Sequence, residues 1–108
     1  MSEDQTTQAE MPTEEPQGAA PEMTSENALR FSLGIFIDLA WIQLGIRANP
    51  GSGEAKTDLP QAKLAIDTLA ALVPLTEGRF DPHEIRDLRN MLSSLQLNFV
   101  QRKTAETE

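Results

Sequence analysis

The sequence predicts an all-α protein, in which a disordered acidic tail precedes a three-helix domain that self-association completes. Three observations predict this fold. Residues 29–46 form a long apolar run, two later segments repeat apolar residues at alternating spacings of three and four, and turn residues separate the three segments. Eighteen residues without a turn signal are too many for one strand, and the 3-4 spacing places side chains on one helix face. We expect helices at about 27–45, 59–73 and 82–103.

The tail is predicted for residues 1–27, which carry seven acidic side chains and no lysine or arginine. Such a segment buries too little apolar surface to offset the entropy lost on ordering, so we expect disorder. We interpret it as a solubilising leader; an interaction tail is the alternative. Residues 1–27 contribute −7 to the formal net charge of −8, so residues 28–108 carry only −1. Because neither part offers a basic patch, we expect no nucleic-acid partner.

The first helix is apolar nearly all the way round. Thr24, Ser25 and Asn27 are competent caps at its start, and Gly45 followed by the Asn49–Gly53 turn ends it. Asp38 lies in the middle of the helix, and an acid buried alone there would cost several kcal/mol. We therefore interpret Asp38 as part of the solvent-exposed side of the helix, paired with an arginine of another helix such as Arg86 or Arg89. The alternative is a carboxylate that determines specificity or handles a proton.

The second helix begins at Asp58, a capping residue followed by proline in the first turn. Its apolar seam is Leu59, Ala62, Ile66, Leu69 and Val73. Pro74 lacks a backbone donor and should end or kink the helix.

The third helix has the clearest start signal, Asp81-Pro82-His83-Glu84, which combines a capping aspartate, proline at the first position and glutamate three residues after the cap. Its seam is Ile85, Leu88, Leu92, Leu95 and Phe99. We expect residues 28–103 to form the domain and residues 104–108 to fray.

No catalytic constellation is visible. The chain has no cysteine, and its single histidine, His83, occupies a capping turn without a second histidine, cysteine or tyrosine to act with. We therefore predict no enzyme activity, no metal site and no cofactor. The chain starts with acidic and polar residues, whereas a secretion signal starts with positive charge, so we expect a cytoplasmic location.

The predicted function is binding, in the first place to another copy. Two helices with one apolar face each cover only part of the first helix, and the remainder needs a second copy, with a dimer favoured, or an unidentified protein partner. The interface candidates are Leu33, Phe36, Ile37, Trp41 and Leu44, and the sequence leaves open which face of the first helix packs against the chain's own helices. The alternative is a peripheral membrane protein that uses the apolar helix 29–46. A membrane-spanning role is disfavoured, because Asp38 costs about 2.5–3.5 kcal/mol at the centre of a span.

The chain also resembles a known family, the small bacterial proteins grouped as the eighteen-forty-four domain-of-unknown-function family, over roughly residues 29–102. The motif residues that carry the resemblance are Phe31, Ile35, Leu39-Ala40, Ile42, Leu44-Gly45, Asn49-Pro50 to Gly53, Asp58-Leu59, Ala62-Lys63, Ile66-Asp67, Leu69, Leu95 and Phe99-Val100. The resemblance implies a small bacterial helical protein and assigns no activity and no catalytic residues.

Overall fold

The computed structural model describes residues 22–107, and this part of the chain is all-helical, as predicted. Helix α1 spans Ser25–Gln43, α2 spans Leu59–Leu72 and α3 spans Pro82–Thr107, with a short 3-10 helix, Val73–Thr76, directly after α2. Most of the predicted tail lies outside the described residues. Its last three positions, 25–27, belong to α1, which begins and ends two residues earlier than predicted.

Local capping determines both ends of α1. The Thr24 side chain accepts a hydrogen bond from the Asn27 N–H at 3.0 Å, as an N-cap does. At the other end Gly45 has a φ of +80°, a conformation that glycine adopts without a Cβ clash. The Gly45 N–H donates to the Ile42 carbonyl at 3.0 Å and the Ile46 N–H donates to the Trp41 carbonyl at 3.1 Å, which together form a Schellman motif.

The connector between α1 and α2 is tied at its base. The Asp58 N–H donates to the Gln43 carbonyl at 2.7 Å, and Leu44 pairs with Thr57 in an isolated antiparallel bridge. The start of α2 therefore lies beside the end of α1, and Asp58 caps α2 by accepting from the Gln61 N–H at 3.2 Å. As a result α1 and α2 form an antiparallel hairpin, which is the main packing contact of the domain.

The end of α2 and the start of α3 follow the predicted signals. Pro74 stops the α-helix at Leu72, and the chain continues as a 3-10 turn in which the buried Thr76 hydroxyl donates to the Val73 carbonyl. Asp81 then caps α3, because its side chain accepts from the His83 N–H at 2.8 Å. Helix α3 runs to Thr107, beyond the predicted fray at residue 104, since residues 101–107 contain no stop signal and several good helix formers.

The core lies mainly between α1 and α2. The five predicted seam residues of α2 are all buried, together with Ala65. The α3 seam is confirmed in part: Ile85 and Leu95 are buried, whereas Leu88, Leu92 and Phe99 are half-buried against the core. Helix α3 packs on α2 more than on α1, which explains the incomplete burial of its seam.

An ion pair joins the starts of α1 and α3. The Arg30 Nε and Nη2 atoms donate to the two carboxylate oxygens of Glu84 at 2.8 and 3.2 Å, and the guanidinium lies 4.2 Å from the centre of the Phe80 ring. The hydrogen bond from Arg30 lowers the pKa of Glu84 below its ordinary value, and the Asp81 N–H adds to this effect. Glu84 thus lies in the first turn of α3 and also binds α1.

Within residues 22–107, no helix is both long enough and apolar enough to cross a membrane.

Candidate functional site

The first helix carries an exposed apolar patch on the side that faces away from α2. Phe31, Gly34, Ile35 and Asp38 follow the i, i+3, i+4, i+7 spacing, so they form one contiguous surface on α1. All four are exposed; Phe31 keeps 71% and Ile35 keeps 41% of its surface accessible. We call these four residues the outward patch.

The outward patch exists because α1 has more apolar surface than its own domain covers. The residues on the opposite side of the helix, Leu33, Ala40 and Leu44, are buried against the domain core. Since the helix is apolar nearly all round, this inward side leaves Phe31 and Ile35 in solvent. The half-buried Leu39 and Ile42 continue the apolar surface toward the end of the helix.

The interface candidates named from the sequence lie on or beside the inward side of α1. Leu33 and Leu44 are 2% and 0% exposed, so they pack inside the domain itself. Phe36, Ile37 and Trp41 are half-buried and pack against the same core. The structure therefore places Phe31 and Ile35, and not these five residues, at the most exposed apolar surface of α1.

The rotation of α1 about its axis decides which residues remain outside, and α2 is the main element that α1 packs against. Helix α2 presents two buried alanines, Ala62 and Ala65, at 0% and 3% exposure. Leu33 and Leu44 of α1 belong to the same buried cluster as these two alanines. Ala65 was not part of the predicted seam, and its position three residues after Ala62 was the sequence signal for its burial.

Gly34 is the feature of the patch that the domain does not explain. It is an interior helical residue with ordinary φ, and a Cβ built there would have no heavy atom within 4 Å. Glycine inside a helix costs about 0.5–1 kcal/mol relative to alanine. No described part of the chain uses the space that the missing side chain leaves.

Asp38 is exposed to solvent at the edge of the patch, as the sequence predicted, but the prediction that Arg86 or Arg89 pairs with it is wrong. Its carboxylate accepts from Arg47 Nη1 at 2.9 Å, and Arg47 lies just after α1. Arg86 instead pairs with Asp87, and Arg89 pairs with Glu77. The reason is that α3 contacts α1 too little to bring its arginines near the middle of α1. An exposed pair of this kind adds little stability, so Asp38 is a charged rim for the apolar patch.

One concavity of the described chain is lined by residues 77–90 and by no residue of α1. It is an open groove of about 560 Å³ lined in part by Phe80, Ile85, Arg86 and Asn90. His83 is not among its lining residues, and residues 22–107 contain no group of three side chains that could hold a metal ion. The groove has an apolar floor of Phe80 and Ile85 and charged side chains of both signs, since Glu77 and its partner Arg89 also line it.

Comparison with known proteins gives one match. The family model described as Domain of unknown function (DUF1844) matches residues 35–101, which covers the second half of α1, all of α2 and most of α3. No curated protein and no solved structure shows significant similarity to the chain.

Proposed function

This chain belongs to the DUF1844 family, a domain of unknown function, and we propose that it works as a self-assembling interaction module that binds through the outward patch of α1. The expected first partner is a second copy of the chain, and the expected location is the cytoplasm. The domain acts by contact and carries out no catalysis.

One observation supports the proposal above the others, namely the exposure of Phe31 and Ile35 one turn apart on an ordered helix. Single exposed apolar residues are common on soluble proteins, but a contiguous exposed apolar surface marks an interaction site. Burial of each large apolar side chain contributes about 1.5–3 kcal/mol. A partner that covers Phe31, Ile35 and the adjoining Ile42 therefore gains several such contributions.

A second copy is the favoured partner because two-fold pairing buries the same surface on both subunits at once. The outward patch carries a single acidic group, Asp38, which is already paired with Arg47. Two copies therefore meet without bringing an uncompensated charge into the contact.

Light scattering on a size-exclusion column tests the proposal. We expect the full chain to elute at twice its 11.9 kDa mass at tens of micromolar and to dissociate on dilution. Phe31→Glu should give a folded monomer, because a charge at the contact loses its water without gaining a partner. Leu64→Glu is the matched control, since Leu64 is similarly exposed, at 60%, but lies on α2.

Two outcomes would contradict the proposal. A monomer mass for the wild type throughout the concentration range would reject self-assembly. An unchanged dimer in the Phe31→Glu variant, with loss of the dimer in Leu64→Glu, would move the contact from α1 to α2. Flotation with anionic lipid vesicles tests the alternative from the sequence, because wild-type chain that floats as a monomer, with flotation lost in Phe31→Glu, would make the patch a membrane contact.

A further inference from the structure

We draw no further inference here: the strongest candidate, the concavity beside the α1–α2 connector that Gln43, Lys56 and Asp58 help to line, rests on the N-terminus of α2, and no second observation there points to a ligand, because the Gln43 Oε1 atom, which has no hydrogen-bond partner within residues 22–107, is closed to solvent.

Discussion

At the scale of single residues, Gly45 holds the turn after α1 for two separate reasons. Its φ of +80° disfavours other residues, and a Cβ there would collide with the Thr57 hydroxyl. Gly53 shares only the first reason, since its φ is +74° and a Cβ would meet nothing. We therefore predict that Gly45→Ala lowers the free energy of unfolding by more than the roughly 1–2 kcal/mol expected for left-handed backbone alone, and that Gly53→Ala stays within that amount.

Urea denaturation of the two variants measures this difference. The double variant Gly45→Ala, Thr57→Ala should recover part of the loss, because it removes the hydroxyl that the new Cβ meets. Equal losses in the two glycine variants would mean that the contact with Thr57 has no energetic effect.

Asp81 is the second prediction at this scale. Its side chain accepts the His83 N–H at the first turn of α3, so Asp81→Ala should cost about 0.5–2 kcal/mol. Asp87→Ala is a suitable control, because Asp87 makes only an exposed contact with Arg86. A loss in Asp81→Ala no larger than that of the control would argue against the cap.

At the scale of the elements, the Arg30–Glu84 pair is the polar contact that holds the start of α3 on α1. The pKa of Glu84 is lowered in the folded domain, so the folded state favours the ionised carboxylate. The stabilisation is complete above the pKa of the unfolded chain, about 4.3, and is lost as the pH falls through the lower folded value.

Thermal unfolding as a function of pH measures this contribution. The melting temperature of the wild type should fall more steeply on acidification below about pH 4.3 than that of Glu84→Gln, which cannot titrate at this site. Because Arg30 and Glu84 are partly exposed, added salt should reduce the difference between the two proteins. Parallel pH profiles would show that the pair does not couple the two helices.

The sequence predicted the helix ends and left the rotation of α1 about its axis open, for a physical reason. Caps and turns act over a few residues, so Thr24, Asp58, Pro74 and Asp81 could be located from their neighbours alone. Which side of an apolar helix faces inward depends on the helix that packs against it. That information lies in the rest of the domain, mainly in α2, and it cannot be read from α1 itself.

At the scale of the whole molecule, the disorder expected for the acidic residues 1–21 stays a prediction, because these residues lie outside the described part of the chain. Their composition is poor in large apolar residues and has no basic residue, so they should add little to the stability of the domain. We predict that a chain beginning at residue 22 melts at nearly the same temperature as the full chain in calorimetry. A large decrease would mean that the segment packs on the helices.

The uneven packing of α3 has a consequence for how the chain folds and opens. Helices α1 and α2 share the main contact and are tied at their connector by the Gln43–Asp58 hydrogen bond, so they form a unit that is close in sequence. Contacts between near neighbours close short loops and form quickly. The far part of α3 has only partial cover and can detach while the hairpin stays intact. Amide protons near Asn98 should therefore exchange with solvent long before those near Leu33 and Leu69, and the domain should open from its C-terminal helix inward.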